Sequence, residues 1–369
     1  MTGTITALAK LAVAAPTLAV AALAQTLPPV FTLQADRDAT LYESATGNLA
    51  NGSGDAIFVG LTGQPAKRRA LVRFDVAGSI PAGSKILGVA LRAISTQSST
   101  PTPLATTLHR VLADWSEGAS IAPGNGGGGG QALPGDATWL HRSYPSTLWS
   151  MAGGDFAATP SGALALVQSG LSQSGGYNPG LIADVQSWLD SPATNFGWLI
   201  KSDEAAPSTA TRVESRESLG GGAELTVTFL PPGLARTWGY GCLVNGAGTA
   251  GQMGLTLNGS ATSGATVGLQ YHQCPPLSVG ATFYALELGY GPAGIGFPVC
   301  SGTACCQLYL PPAGVIPGSL WTTSSLGAAA DAFTLPPNVP GFLVACQGAA
   351  IDSTPLGFAL SAGGVMCTQ

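Results

Sequence analysis

Turn-forming residues interrupt this chain so often that they leave little room for long helices. Glycine accounts for 52 of the 369 residues and proline for 27. In a helix interior glycine costs about 1 kcal/mol and proline about 3 kcal/mol relative to alanine, and both residues mark turns. Only 9% of the residues are charged, against roughly a quarter in ordinary globular domains. These features predict a chain of many short β-strands.

Between the turns, apolar and polar residues alternate as they do in half-buried strands. In residues 71–76 the side chains of Val72, Phe74 and Val76 are predicted to face one way, because successive strand residues point to opposite faces. Arg73 and Asp75 then face the other way. The same period recurs in two later segments: Leu87, Val89 and Leu91, and Leu225, Val227 and Phe229.

One helix is predicted within the β-rich pattern. Asn178 can cap its first turn, Pro179 suits its first position, and Pro192 ends it. Apolar residues between these limits follow a helical period, and Trp188 among them is expected in the core. The predicted fold class is therefore all-β, with two β-sandwich or jelly-roll domains in tandem and one short helix in the first.

Length and charge distribution both indicate two domains. A chain of 369 residues can form two cores of ordinary size. No lysine or arginine follows Arg236, and only three acidic residues do. Because residues 230–233 have the composition of a linker, we expect a first domain at residues 30–230 and a second at residues 236–369.

The amino terminus has the pattern of a secretory signal peptide at residues 1–24. It carries one positive charge at Lys10, an apolar run at residues 11–23, and the small-residue site Ala22-Leu23-Ala24. No other segment is apolar enough to cross a bilayer, so no membrane span is expected in the mature chain. The net charge of −5 and the absence of polybasic stretches exclude nucleic acid as a partner. The protein is expected to be secreted, either extracellular or at the cell surface.

Cysteine usage agrees with export. All seven cysteines lie in the second half of the chain, where an oxidising compartment would allow several to pair. The odd number leaves at least one thiol free or available for an intermolecular bond, and the connectivity stays open. The cysteines are Cys242, Cys274, Cys300, Cys305, Cys306, Cys346 and Cys367.

An ordered series of motifs runs through nearly the whole first domain. Its members include Asp38-Ala39-Thr40-Leu41, Asn51-Gly52, Phe58-Val59-Gly60, residues 69–75, Ile80-Pro81-Ala82-Gly83, Gly197-Trp198-Leu199-Ile200 and Ser215-Arg216-Glu217-Ser218. This series resembles the DNRLRE-type domain of secreted bacterial and archaeal proteins. The resemblance implies a β-jelly roll and, more weakly, a module that binds acidic polysaccharides such as alginate.

Positive and aromatic side chains are the candidates for contacts with an acidic sugar. Guanidinium groups can pair with uronic acid carboxylates, and aromatic rings can stack on sugar faces. Most of the aromatic residues are also expected to serve as core or loop anchors. Arg73 with Asp75, and Arg216 with Glu217, are interpreted as structural ion pairs. The candidate ligand-binding residues are Lys67, Arg68, Arg69, Arg92, Arg110, Trp139, His141, Arg142 and Tyr144.

A calcium site is a second possibility in the first domain. Asp36, Asp38, Asn51 and Asp55 place hard oxygen ligands within one turn-rich stretch, as Ca²⁺ requires. Their spacing does not match an EF-hand loop. The alternative is that these residues form turns that cap strand ends, and this reading is favoured.

The second domain suggests attachment or assembly rather than chemistry. Tyr240-Gly241-Cys242, Glu287-Leu288-Gly289 and residues 306–309 resemble a C-terminal β domain that ends many large secreted proteins of environmental bacteria. Ordinary soluble domains use surface charge to stay apart, so an almost uncharged domain is a candidate for self-association.

Motifs for enzymatic chemistry are absent from the sequence. The chain has three histidines and no nucleophile elbow, metalloprotease helix or phosphate loop. Paired carboxylates for polysaccharide cleavage can assemble only in the fold, with Asp114, Glu117 and Asp155 as the best acids. The function predicted is therefore non-catalytic binding of an extracellular, acidic polysaccharide or surface matrix. The alternatives are a self-assembling structural subunit of a fibre or coat, and a polysaccharide lyase or hydrolase.

Overall fold

The computed structural model describes residues 29–175, 178–239, 241–242, 244, 252–286, 297–301, 304–311, 313–353 and 356–369. The predicted signal peptide at residues 1–24 lies outside these residues. The described chain is nearly all β-structure, which confirms the all-β prediction. None of its helices is long and apolar enough to span a membrane.

The first fifteen strands and both α-helices of the described chain lie in residues 29–230, here called the N-terminal segment. The helices are α1 (Val76–Ser79) and α2 (Pro179–Asp190), and a 3-10 turn covers Pro192–Thr194. The strands are β1 (Val30–Gln34), β2 (Arg37–Tyr42), β3 (Leu49–Ala50), β4 (Ala56–Leu61), β5 (Lys67–Arg73), β6 (Lys85–Ser98), β7 (Leu104–Arg110), β8 (Gly130–Gln131), β9 (His141–Ser143), β10 (Thr147–Leu148), β11 (Gly162–Leu166), β12 (Gly170–Gln173), β13 (Trp198–Ser202), β14 (Thr211–Glu214) and β15 (Glu224–Leu230).

Eleven of these strands form one antiparallel sheet in the order β1-β15-β6-β14-β4-β5-β13-β7-β11, with β12 also on β6 and β2 also on β5. Leu225 pairs with Leu91 and Val227 with Val89, and all four side chains are buried in the main core. The predicted alternation of these residues is therefore confirmed. Shorter pairs join β9 to β10 and β3 to β8.

The prediction for Leu87 is wrong. A β-bulge leaves Leu87 opposite no residue of β15, because Phe229 pairs with Ile86 and Thr228 with Gly88. Leu87 accordingly packs in a different apolar cluster from Val89. The strand predicted at residues 71–76 also ends early, at Arg73. Asp75 caps α1 instead, and its Oδ1 accepts a hydrogen bond from the Gly78 N–H at 3.0 Å.

Helix α2 forms as predicted. Asn178 Oδ1 accepts from the Leu181 N–H, and Pro179 occupies the first turn. Trp188 is fully buried, and its ring centroid lies 4.6 Å from that of Trp198 in β13. Nε1 of Trp198 donates to Asp184 Oδ2 at 2.7 Å, which fixes the helix against the sheet through a buried hydrogen bond.

The C-terminal segment (residues 231–369) contains the remaining strands. Six of them form a sheet in the order β16-β26-β24-β19-β22 with β25 on β24, three form the sheet β17-β18-β23, and β20 pairs with β21. The strands are β16 (Ala235–Trp238), β17 (Gly254–Asn258), β18 (Thr266–His272), β19 (Val279–Ala285), β20 (Phe297–Ser301), β21 (Ala304–Leu308), β22 (Ile316–Thr322), β23 (Ala329–Thr334), β24 (Leu343–Ile351), β25 (Phe358–Leu360) and β26 (Gly363–Cys367).

Each sheet of the described chain takes its strands from one segment alone. The segments nevertheless share an apolar cluster, in which Leu87 and Leu230 pack with Ala285, Ala345 and Val365. The division into two domains at residues 230–236 stays a prediction.

A disulfide joins Cys242 to Cys306, two residues that are 64 positions apart. Cys274, Cys346 and Cys367 are buried free thiols, and burial raises the pKa of Cys346 to about 12, so this thiol is not reactive at neutral pH. The side chains of Cys300 and Cys305 lie outside the described part of the chain.

Removing the disulfide should destabilise the C-terminal segment. Cross-linking residues this far apart restricts the unfolded chain by about 4 kcal/mol in the chain-entropy model. We expect the double variant Cys242→Ala/Cys306→Ala to unfold at clearly lower urea concentration than Cys274→Ala, which removes a buried thiol without opening a loop. Equal midpoints for the two variants would contradict this expectation.

Candidate functional site

An open cleft of about 480 Å³ lies where the start of β2 meets a loop and a strand of the N-terminal segment. The loop that follows β7 supplies one wall, and β9 supplies another. The volume of the cleft falls within the range of small-molecule binding sites. The residues around it are Asp36, Arg37, Asp114, Trp115, Ser116, Glu117, Arg142 and Ser143.

The loop after β7 is held in place by its own backbone and by one buried tryptophan. Trp115 is almost fully buried, and its Nε1 donates to the Phe196 carbonyl at 2.9 Å. The Ser116 N–H donates to the carbonyl of Arg142 at 3.0 Å, which joins the loop to β9. Packing and hydrogen bonds within the protein thus hold this cleft wall in place before a ligand binds.

Two arginines face this cleft, and their electrostatic environments differ. Arg37 donates to the Trp115 carbonyl at 2.7 Å and lies 3.3 Å from Oδ1 of Asp114. Nη1 of Arg142 donates to the Asp114 carbonyl at 2.8 Å. Among the described residues, Arg142 forms no ion pair with a carboxylate. Its guanidinium therefore keeps N–H donors for an anionic ligand.

The acidic residues around the cleft already have arginine partners. Asp36 is paired with Arg73, with a 3.1 Å bond from Nε to Oδ1. Glu117 is paired with Arg216, and Asp114 with Arg37. The unpaired charge in the cleft is consequently the positive charge of Arg142.

Next to the cleft, three carboxyl groups from distant parts of the chain meet at one arginine. Asp38 lies in β2, Glu117 follows β7 and Glu217 follows β14, yet one oxygen of each lies within 4.8 Å of the others. Arg216 donates to both oxygens of Glu117, at 2.7 Å each, and its Nη2 lies 3.0 Å from Oε1 of Glu217. Asp38, Glu117, Arg216 and Glu217 are called the carboxylate cluster below.

Burial makes the carboxylate cluster hard to ionise completely. Asp38 is 1% exposed, and desolvation raises its pKa to about 8, although its Oδ2 accepts from the Arg216 N–H at 2.7 Å. Burial also raises the pKa of Glu217. The hydrogen bond to Glu117 raises the pKa of Arg216, which stays charged. Within the described chain, Oδ1 of Asp38 and Oε2 of Glu217 have no hydrogen-bond donor.

The four residues predicted for calcium have different partners in the described chain. Asp38 joins the carboxylate cluster, whereas Asp36 binds Arg73. Asn51 is buried, donates to the Ala56 carbonyl and accepts from the Ala122 N–H, so it holds two loops together. Asp55 has an exposed carboxylate 2.7 Å from Arg212. The contacts of Asn51 agree with the alternative prediction, in which these residues stabilise turns and loops.

The predicted cations of β5 all have partners within the protein. Arg68 is buried, with its guanidinium 4.9 Å from the Tyr42 ring centroid, and its Nε donates to the Gly127 carbonyl. Arg69 is buried over Trp139, with 4.8 Å between its guanidinium carbon and the ring centroid, and it binds Glu204 with both nitrogens of its fork. Lys67 lies 3.6 Å from Glu43.

The other predicted sugar-binding residues fall into two groups. Arg92 pairs with Glu224, and Arg110 lies beside Asp184 of α2, so both belong to other surfaces. His141, Arg142 and Tyr144 lie together at β9, where the His141 and Tyr144 rings meet edge to face at 5.1 Å. Of the nine predicted residues, Arg142 is the one that lines the 480 Å³ cleft.

Sequence reasoning did not select Arg37 or Ser116 as ligand-binding residues. Arg37 lies between Asp36 and Asp38, and no local pattern indicates that its side chain contacts Asp114, which lies 77 positions later in the chain. The interpretation of Arg216 and Glu217 as an ion pair is confirmed, whereas Arg73 pairs with Asp36 rather than with Asp75.

A second cavity of about 630 Å³ lies beside Arg69, Met151, Asp155 and Phe156. Its one lining carboxylate, Asp155, accepts backbone hydrogen bonds from Ser150 and Met151, at 2.9 Å each. Asp155 therefore closes a turn at the edge of this cavity.

No family model matches this chain, and no curated protein matches it either.

The buried pair of Arg69 and Glu204 should make folding stability depend on pH. Burial alone would raise the pKa of Glu204, but the hydrogen bonds and charge of Arg69 hold it below its ordinary value. Because the folded pKa is lowered, this stabilisation is present above about pH 4.5 and is lost as the pH falls through the folded pKa.

We expect Glu204→Gln to lose about 3 kcal/mol of unfolding free energy near neutral pH, and the difference from wild type should shrink in acid. Urea unfolding at several pH values measures this. Glu43→Gln is the matched control, since Glu43 is the more exposed partner of Lys67 and should change stability by about 1 kcal/mol or less. A loss for Glu204→Gln that stays constant with pH would show that the ion pair is not its cause.

Proposed function

We propose that this protein is a secreted, non-catalytic binder of acidic polysaccharide, and that a uronic acid carboxylate binds to Arg142 in the 480 Å³ cleft. The observation that carries the proposal is the guanidinium of Arg142, which has no carboxylate partner among the described residues although the acids around it are paired. A planar guanidinium matches the geometry of a carboxylate with two parallel hydrogen bonds.

The remainder of the cleft suits a sugar more than an apolar ligand. Ser116 and Ser143 line it, and hydroxyl groups of this kind can exchange hydrogen bonds with sugar hydroxyls. Trp115 is buried, so the ring supports the wall rather than offering a face for stacking. Recognition in this cleft would be polar and charge-assisted.

Two further observations support the proposal. The motifs of the N-terminal segment resemble DNRLRE-type domains, for which acidic polysaccharide binding is one assigned role. The disulfide between Cys242 and Cys306 fits an oxidising, extracellular setting.

The carboxyl groups near the cleft support a binding role better than catalysis. Asp38 has the raised pKa of a general acid, but it is 1% exposed and its Oδ2 is engaged by the Arg216 N–H. A general acid must reach the atom that it protonates. Both oxygens of Glu117 already accept hydrogen bonds from Arg216, so this carboxyl group is engaged within the protein.

The binding proposal predicts a selective loss on removal of Arg142. We expect Arg142→Ala to weaken retention on alginate or polygalacturonate by about tenfold or more, since hydrogen bonds to charged groups contribute about 1.5–3 kcal/mol. Affinity electrophoresis in gels containing each polymer, with dextran as the neutral reference, measures the effect.

The control is Lys85→Ala, which removes the same charge outside the cleft. Wild type and this variant should bind alike, and added salt should weaken both. Equal binding by Arg142→Ala and wild type, or no retention of wild type on either uronate polymer, would refute the proposal.

Self-association of the C-terminal segment is a second candidate function, favoured by the edge strand β22. This strand ends the six-stranded sheet, and Leu320 in it is 78% exposed. Ile316, Val279 and Ile351 of the same sheet are also exposed. Natural edge strands are usually protected by charge, whereas β22 has none, and Pro317 is its one protective residue. We propose that a second copy of this chain covers this edge.

Leu320→Glu should abolish such self-association. We expect wild type to form concentration-dependent oligomers in sedimentation experiments and the variant to stay monomeric. Leu219→Glu is the matched control, because Leu219 is a fully exposed leucine of the N-terminal segment. Wild type that remains monomeric at the highest concentration would exclude this role.

A further inference from the structure

With all of its carboxyl groups ionised, the carboxylate cluster would carry more negative charge than its arginine can neutralise. Asp38, Glu117 and Glu217 contribute three carboxylates when ionised, and Arg216 contributes one positive charge, so −3 and +1 leave −2. Charges that are removed from water are normally paired or bound to a metal. One divalent cation would balance the cluster.

Arg216 does not reach all of the carboxylate oxygens. It binds both oxygens of Glu117 through Nε and Nη2, and Nη2 also approaches Oε1 of Glu217. Oδ1 of Asp38 and Oε2 of Glu217 are buried and receive no hydrogen bond from the described residues. Two buried oxygens without donors, on two carboxyl groups of one cluster, indicate a missing positive partner.

Asp136 is a buried carboxylate of the same segment in which both oxygens accept a hydrogen bond. Its Oδ1 accepts from the Ser120 N–H at 3.2 Å and its Oδ2 from the Leu133 N–H at 2.6 Å. Asp38 is equally buried, but only its Oδ2 receives a hydrogen bond, from the backbone N–H of Arg216. A buried carboxylate oxygen without a donor also occurs outside the cluster, at Oε2 of Glu214. In the cluster, two residues that each carry such an oxygen, Asp38 and Glu217, lie together.

The spacing of the cluster suits a hard cation of the size of Ca²⁺. Oxygen ligands lie about 2.3–2.6 Å from Ca²⁺, so two ligands of one ion are at most about 5 Å apart. The candidate oxygens of Asp38, Glu117 and Glu217 lie within 4.8 Å of one another. Carboxylate oxygens without nitrogen or sulfur ligands favour Ca²⁺ over zinc.

We propose that Asp38, Glu117 and Glu217 bind one Ca²⁺-like divalent cation, with Arg216 holding Glu117 and Glu217 in place as a positioning residue. The set differs from the one predicted from sequence, with which it shares Asp38 alone. Glu117 also lines the cleft, so an ion can enter from there and complete its coordination with water. The proposal does not depend on polysaccharide binding.

Cation binding would join three chain segments that are far apart in sequence. Asp38 belongs to β2, Glu117 to the loop after β7, and Glu217 to the loop between β14 and β15. A ligand that binds the folded state alone stabilises it by mass action. Ca²⁺ should therefore raise the unfolding temperature of the whole protein as well as bind to it.

Equilibrium dialysis of the full, chelator-treated protein against Ca²⁺ at neutral pH tests the proposal. We expect one ion per chain for wild type, and an affinity at least about tenfold lower for Asp38→Asn and Glu217→Gln, because each loses a charged ligand of nearly unchanged shape. Glu224→Gln is the matched control, since Glu224 pairs with Arg92 outside the cluster. Circular dichroism checks that every variant is folded.

Thermal unfolding with and without Ca²⁺ gives a second measurement, which detects binding through the unfolding temperature rather than through dialysis. Ca²⁺ should raise the unfolding temperature of wild type and Glu224→Gln, but not that of Asp38→Asn. No binding to wild type at millimolar Ca²⁺, or equal binding by wild type and Asp38→Asn, would overturn the proposal.

Discussion

Ionic pairing of a small number of charges organises the N-terminal segment. With so few charged residues in the chain, most arginines of this segment are fixed by a named carboxylate, as in Arg69 with Glu204 and Arg73 with Asp36. Such pairs join loops to the sheet, and their charged groups are no longer available to contact a ligand. We therefore expect function at two positions. The positive charge of Arg142 has no carboxylate partner among the described residues, and the carboxyl group of Asp38 lies in a cluster with more acids than arginines.

The two proposed binding sites share one residue. Glu117 lines the cleft that contains Arg142 and also belongs to the carboxylate cluster with Asp38. The loop that carries Glu117 is anchored by the buried Trp115. A single rigid loop thus holds both features in place, and a change in its position would affect sugar binding and cation binding together.

Much of the fold could be predicted from local patterns, and much of the site could not. The Asn178 cap and the period of α2 are set by neighbouring residues, and so is the alternation in β6 and β15, apart from the bulge at Leu87. The sequence singled out Asp38, Arg142 and Glu217. It could not show that Glu117 meets Asp38 across 79 positions, or that Arg69 turns to Glu204 across 135, because such contacts depend on how strands pair in the sheet.

The central claim is that Arg142 is the free cation of an acidic sugar site. Nuclear magnetic resonance of the ¹⁵N-labelled protein, titrated with a short uronate oligosaccharide, tests it most directly. The account predicts that the side-chain N–H signals of Arg142 and Arg37 and the backbone signals of Ser116 and Ser143 shift together, while the side-chain signals of the paired Arg92 and Arg110 do not. Shifts confined to Arg92 or Arg110, or no shifts at saturating oligosaccharide, would contradict it.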